Sequence, residues 1–168
     1  MAGGTITVRE VGPDDWRTWR ALRLASLAEA PDAFHSRLED WLGAGEHVWR
    51  ERLAAPGRYL VADQDGRPCG QVVAVPPDQD GTADLISLWV APNARGSGAA
   101  DALVAAVLDR AGAWGATRLA LHVVVGNERA TALYRRLGFV DLGPVECADG
   151  VTEHRMERGV PRPAPRSP

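Results

Sequence analysis

Residues 88–100 constrain this chain more than any other stretch. Leu88, Trp89 and Val90 end an apolar run of strand formers, and Pro92 stops it. Arg95, Gly96, Ser97 and Gly98 then make a turn of mostly small residues. Ala99 and Ala100 open a helix whose Leu103, Val104, Val107, Leu108 and Ala111 share one face. A strand that turns through glycines into a helix aims several N–H groups at one point, because the first helical N–H groups have no partner of their own. Gly96 and Gly98 carry no Cβ, so a phosphate can come close to the backbone. Arg95 adds a charge-assisted donor. The stretch predicts a pocket for a phosphorylated ligand.

Composition narrows the class. The 168 residues fit one domain, and 45% hydrophobic with 24% charged residues describes an ordinary soluble globular protein. A formal net charge of −3 gives no reason to expect a nucleic-acid partner or an anionic membrane surface. No apolar run reaches transmembrane length, and the first residues lack a basic stretch followed by an apolar core, so the expected location is cytoplasmic. Cys69 and Cys147 read as reduced thiols. All 19 basic residues are arginine, which excludes a lysine Schiff base and a Walker A lysine. His35, His47, His122 and His154 lack ligand spacing with the cysteines or one another, so no metal site is expected. There is no Gly-x-Ser-x-Gly elbow, and Gly96-Ser97-Gly98 lacks the third glycine of a dinucleotide fingerprint.

In chain order, residues 5–11 alternate as a first strand, and Asp14 or Asp15 is a plausible cap for a helix running to Glu29. A second helical region spans 36–54, broken at Gly43 and Gly45. Trp16, Trp19, Trp41 and Trp49 fall in this part and read chiefly as packing of helices on the sheet. Strands follow at 58–62 and 69–75, joined at Asp65-Gly66, and then at 84–90. After the helix opened at Ala99, residues 119–125 are apolar nearly throughout and read as a central strand. A helix over 128–137 is stopped by Gly138. Short strands at 139–142 and 152–157 complete a domain of residues 1–159, and the Pro/Arg-rich residues 160–168 read as a disordered tail.

A second segment is Asn127-Glu128-Arg129-Ala130-Thr131-Ala132-Leu133-Tyr134-Arg135-Arg136-Leu137-Gly138-Phe139. Taken with Arg95-Gly96-Ser97-Gly98-Ala99-Ala100, it resembles the GNAT superfamily of bacterial single-domain N-acetyltransferases. The first segment is similar to that family's Gln/Arg-x-x-Gly-x-Gly/Ala signature. The second is similar to its Asn-x-x-Ala-x-x-Leu-Tyr-x-x-x-Gly-Phe pattern. The resemblance covers about residues 6–158 and is specific from 84 to 139. It implies an α/β (α+β mixed-sheet) fold of about seven mostly antiparallel strands. A central parallel pair would be splayed to hold the cofactor, with helices on both faces.

The resemblance also implies roles. Acetyl-CoA would lay its pyrophosphate on Arg95, Gly96, Ser97, Gly98, Ala99 and Ala100, and its pantetheine arm along the backbone of Leu88, Trp89 and Val90. Asn127 and Ala130 would flank that arm, and Arg136 reads either as a phosphate contact or as a solvated helix face. An amine would attack the thioester directly in a ternary complex. The Val90 N–H would face the oxyanion, and Tyr134 would protonate the leaving thiolate. Asp84 reads evenly as a base acting through water or as a strand-edge carboxylate. His122 is the alternative titratable group for the base, but flanked by Leu121 and Val123 it reads rather as an uncharged packing histidine. Acceptor choice would lie in the first helices, at Phe34, and in the loops near Pro76 and Asp149. A small-molecule amine is the preferred acceptor, ahead of a protein N-terminus or lysine. A non-catalytic acyl-CoA sensor is the rival class, and the fold would be compatible with a homodimer.

Overall fold

The computed structural model describes residues 4–162. Seven strands form one sheet: β1 (Ile6–Val11), β2 (Arg58–Gln64), β3 (Arg67–Val75), β4 (Thr82–Val90), β5 (Arg118–Val124), β6 (Val140–Glu146) and β7 (Thr152–Gly159). Their spatial order is β1-β2-β3-β4-β5-β7-β6, and every pair is antiparallel except β4–β5. The helices are α1 (Trp16–Glu29), α2 (Leu38–Leu42), α3 (Glu46–Ala54), α4 (Ala99–Ala113) and α5 (Glu128–Arg136). The break between α2 and α3 falls at Gly43 and Gly45, where the sequence places it.

The β2–β3 hairpin follows from its turn residues. Asp65 and Gly66 both take positive φ, 51° and 78°, the requirement of a two-residue turn whose twist matches the strands. Both faces of the central sheet are covered, so β2 and β3 are apolar nearly throughout rather than alternating. One face carries α4, which buries Leu103, Val104, Val107 and Ala111 against Leu60, Val72, Leu119 and Leu121. The other carries α1 and α3, which bury Trp19, Leu22, Trp49 and Leu53 against Tyr59, Val61, Val73 and Trp89. Trp19 meets Tyr59 edge-on at 5.0 Å, the packing role expected of these tryptophans.

Three expectations change. Neither Asp14 nor Asp15 caps α1 through its side chain. The Asp15 carboxylate instead accepts the Gly12 N–H at 3.0 Å, closing the short turn of Pro13–Asp15 that precedes the helix. The last two strands are longer than their alternation suggests, because β7 pairs along the whole of β5 and is thereby fixed on its far side as well. Val160 does not leave the domain: it is buried in the core, and its N–H donates to the Thr117 carbonyl at 3.0 Å. The rest of the Pro/Arg-rich tail, 163–168, lies outside the described residues.

The site is positioned by two irregularities in β4. First, β4 pairs with β5 only over Thr82, Ala83 and Asp84, after which the two parallel strands separate. Second, β4 bulges against β3. Trp89 faces Gln71 and Ile86 faces Val73, so Ser87 and Leu88 together oppose Val72. Ser87 takes φ 58°, a conformation uncommon outside glycine, and the buried Gln71 supports it by donating to the Ser87 carbonyl at 3.4 Å.

Candidate active site

The bulge decides which backbone groups of β4 are free. The Ala91 N–H donates to the Cys69 carbonyl at 2.8 Å, so Cys69 and Ala91 form a hydrogen-bonded pair. Antiparallel pairs alternate, which makes Gly70–Val90 a non-bonded pair and turns the polar groups of Val90 away from β3. They point where β5 has already splayed off. Leu88 shares that side, whereas the main chain of Trp89 is turned to Gln71 of β3. The expected pairing edge therefore narrows to Leu88 and Val90.

A cavity of about 780 Å³ opens on this free edge. It is lined by Leu88, Trp89, Val90, Arg95, Gly96, Gly98, Ala99 and Ala100 on one side and by Asn127, Ala130, Tyr134 and Arg136 of the α5 segment on the other. Gly96 and Gly98 take φ 80° and 90°, and a Cβ built on either would meet no atom within 4 Å. The glycines thus serve conformation and leave clear space in front of the backbone. Among the described residues, the N–H groups of Gly96, Gly98, Ala99 and Ala100 have no partner. That is the donor set a pyrophosphate requires at a helix N-terminus, so the residues present fit a coenzyme A.

Two members of the expected phosphate set are used otherwise. The Ser97 N–H and hydroxyl both donate to the Ala94 carbonyl, at 3.3 and 2.6 Å, and Ser97 does not line the cavity. Arg95 lines it, but its Nε donates to the Val90 carbonyl at 3.0 Å and its Nη2 to Glu29 Oε2 at 2.8 Å. Glu29 also accepts the Trp89 indole N–H at 2.9 Å, and the Arg95 guanidinium followed by that indole holds its carboxyl below the usual range. Glu29 thus ties the end of β4 and its turn to α1. The sequence carries one signal for it: a carboxylate in the last turn of a helix opposes the helix dipole, so something else must hold it there.

On the α5 side, Asn127 Oδ1 accepts the Ala130 N–H at 3.2 Å and caps the helix, leaving its amide N–H groups to face the cavity. Arg136 makes a two-pronged bond to Asp101 in the first turn of α4, at 2.7 and 3.1 Å. It joins α5 to α4 at the cavity wall. Tyr134 is buried, packs edge-on to Phe139 at 5.7 Å, and has no acceptor for its hydroxyl among the described residues. Burial alone pushes the phenol above its usual pKa, so it stays protonated.

A second cavity of about 340 Å³ lies across the splay and shares Phe34, Leu88, Asn127, Ala130 and Tyr134 with the first. Its own walls include Arg23 of α1, His35, Arg52 of α3, His122 of β5 and Glu153 of β7. His35 bridges two carboxylates, with Nδ1 2.7 Å from Asp149 and Nε2 2.8 Å from Glu153. Both raise its pKa, Asp149 the more. Cys147 Sγ lies 3.3 Å from Glu153, so His35, Cys147 and Glu153 form one cluster that their sequence spacing conceals. Neither cysteine is in a disulfide.

Asp84 is the last β4 residue paired with β5 and lines neither cavity. Burial raises its pKa, and Arg155 and then His122 oppose that rise. His122, read as a packing histidine, is exposed and lines the smaller cavity. Its apolar neighbours Leu121 and Val123 point to the opposite face, as strand alternation requires. The loop near Pro76 lines neither cavity, whereas the one near Asp149 reaches the smaller through His35.

Two chambers meet across one splayed strand, one with a backbone anion cradle and one with polar side chains, and this arrangement defines the class. Known proteins give that class its name. The model of the acetyltransferase (GNAT) family matches residues 16–139, and the chain belongs to this family. An uncharacterized N-acetyltransferase of Mycobacterium bovis is 36% identical over 113 residues, covering 67% of this chain and 70% of that one. A mycothiol acetyltransferase of Renibacterium salmoninarum is 29% identical over 139 residues, covering 80% of this chain but 40% of that one, so the match spans two fifths of that relative. The crystal structure of a GNAT-family acetyltransferase from Streptococcus pneumoniae superposes with TM-score 0.76 at 24% identity, covering 94% of this chain and all of that one. The seven-stranded mixed sheet with one parallel pair is thus the expected fold. Among the described residues, no helix is long and apolar enough to cross a membrane.

Proposed function

We propose that this protein transfers the acetyl group of acetyl-CoA to the primary amine of a small molecule. One observation carries the reading: the unpaired edge of β4 and the Tyr134 hydroxyl stand where the two cavities join. Acetyl-CoA, bound along the larger cavity, supplies a thioester whose C–S bond breaks as the amine forms its C–N bond. The free N–H groups of Gly96, Gly98, Ala99 and Ala100 hold its phosphates, and Leu88 and Val90 pair with its amide arm. The Val90 N–H donates to the carbonyl oxygen as negative charge grows there. Tyr134 gives its proton to the departing thiolate, and its protonated hydroxyl, without a partner among the described residues, suits that role. His122 takes the proton that the amine loses, and Asp84 supports it from the closed end of the splay, where the two charges sense each other.

The membership of the chain in an acetyltransferase family supports the reaction class. The test is thiol release from acetyl-CoA across a panel of primary amines. Saturable release with at least one amine is expected. Tight CoA binding with no release for any amine would overturn the transferase reading and leave a CoA-binding protein.

A further inference from the structure

The smaller cavity holds a buried cation that nothing among the described residues answers. Arg23 faces the sheet from α1 and is 5% exposed. Among the described residues it forms no ion pair and donates no hydrogen bond, and its Nη1 is buried without a partner. Arginine does not shed its proton near neutral pH. An unpaired buried charge costs more than a cation–π contact returns. Arg23 has only that contact, 4.9 Å over the Phe34 ring.

A second guanidinium deepens the imbalance. Arg52 lines the same cavity, lies 5.3 Å over Trp41, and has no carboxylate partner among the described residues either. Burial first and Arg52 second push Arg23 down to about 10, and no carboxylate offsets them. Several arginines elsewhere have carboxylate partners. Arg95 has Glu29, Arg136 has Asp101, and Arg9 has the buried Asp63. The one buried carboxylate on the cavity wall, Glu153, is engaged by His35 and Cys147. Two stacked, unanswered guanidinium groups in a cavity that opens on Tyr134 are a site for an anion supplied from outside.

We infer that Arg23 and Arg52 form a carboxylate subsite and that the acceptor is an amine bearing a carboxylate, of amino-acid size, rather than a plain amine, polyamine or aminosugar. The inference rests on the transferase reading above for the amine, and on the arginines alone for the carboxylate. The 340 Å³ volume sits at the small end of the roughly 300–1,000 Å³ range of ligand pockets. The phosphates of CoA have their own cradle at α4, in the other cavity, and do not account for these arginines.

The test compares each amino acid of a panel with its primary amide and its decarboxylated amine, by thiol release from acetyl-CoA. The acid of the best set is expected to exceed its amide at least about 30-fold in kcat/KM. Arg23→Gln should bring that ratio to within about threefold of one, mainly by raising KM for the acid, with CoA affinity within about twofold of wild type. Arg52→Gln should lower the ratio in the same direction and serves if Arg23→Gln does not fold. Arg23→Met should raise the Tm of the ligand-free protein, whereas an arginine kept only for structure would lower it. Amides or amines used as well as acids, or a ratio that survives both glutamine variants, would overturn the proposal. If no amine of any kind is acetylated, the transferase reading fails by itself. Titration with an N-acetyl amino acid then decides the subsite. A Tm rise seen in wild type and lost in Arg23→Gln upholds it, and no rise in wild type overturns it.

Discussion

The two cavities that meet across β4 are built by different rules. The larger offers a cluster of free main-chain N–H groups. Its donors come from one continuous stretch in which two glycines at positive φ, a bulge and a helix start aim N–H groups at a point. The smaller is made of side chains that converge from α1, α3, β5, β7 and the turn after α1. A backbone cradle accepts any ligand with the right phosphates and spacing. A ring of arginine, histidine and glutamate side chains selects by charge and shape. On the proposed reading, one wall holds the donor and the other selects the acceptor.

The comparison breaks most readily at Gly98. A valine there adds a β-branched side chain at φ 90°, a strain of about 1–3 kcal/mol, yet its Cβ meets nothing within 4 Å in the protein itself. Gly98→Val is therefore expected to fold with a modestly lower Tm. It fills the space kept for the phosphates, so CoA affinity should fall at least about 100-fold, or about 2.8 kcal/mol, by calorimetry. Binding within threefold of wild type would mean that the cradle lies elsewhere.

The same contrast explains what the sequence discloses. A requirement for positive φ or a missing Cβ is local, so the glycine turn, its helix and the cap at Asn127 can be read from adjacent residues. The β2–β3 hairpin is legible for the same reason. Arg23, Arg52 and Glu153 each have an ordinary reading alone, as a helix arginine, another helix arginine and a strand carboxylate. Only the fold puts them on one cavity. His122 is the instructive error: its neighbours are core residues, but a strand alternates, and its own face is the exposed one that lines the smaller cavity. Asp84, open between a base and a strand-edge carboxylate, stands on the strand that carries the site but ahead of the splay.

Tyr134 belongs to both cavities, so changing it tests their junction and not either wall. Tyr134→Phe removes a hydroxyl that makes no hydrogen bond within the described residues and leaves the edge contact with Phe139 intact. Stability should change little. General acid catalysis is worth about 100-fold or more, so kcat should drop by about that factor with CoA affinity within twofold. An unchanged kcat across pH 6–9 would remove the acid role and leave the tyrosine as a wall.

Asn127 separates the main-chain rule from the side-chain rule within one residue. Its Oδ1 caps α5, and its amide N–H groups face the larger cavity. Asn127→Ala loses both, and a lost cap costs about 1 kcal/mol, or a Tm decrease of about 2–4 °C in a chain of this size. Asn127→Asp keeps the capping oxygen and removes the donor. Its Tm should match wild type while CoA binds several-fold more weakly, the loss of one hydrogen bond to a cofactor amide. Equal losses of stability in both variants would show that the amide N–H groups serve the fold.

The smallest effect concerns the wall of the smaller cavity, at His35. Both its ring nitrogens lie within hydrogen-bonding distance of carboxylates, so the folded protein favours the imidazolium and raises its pKa above the usual 6.5. A pKa raised on folding adds stability that is complete below the unfolded pKa and fades as pH rises through the folded one. Asp149 moves the other way: its pKa is lowered below 3.8, so its share is lost only in more acidic solution. Cys147, raised above 9.0 beside Glu153, titrates on the alkaline side. Between pH 5.5 and 8.5 His35 is thus the member of this cluster whose charge changes. Its side chain is half exposed, which limits the pair to the roughly 0–1 kcal/mol of a solvent-screened bridge. The Tm of wild type should exceed that of His35→Gln by about 1–3 °C at pH 5.5, and the gap should close by pH 8.5. A gap that stays constant with pH would mean that neutral hydrogen bonds or packing hold this wall. The contrast with the glycine cradle would then rest on the arginines rather than on the histidine clamp.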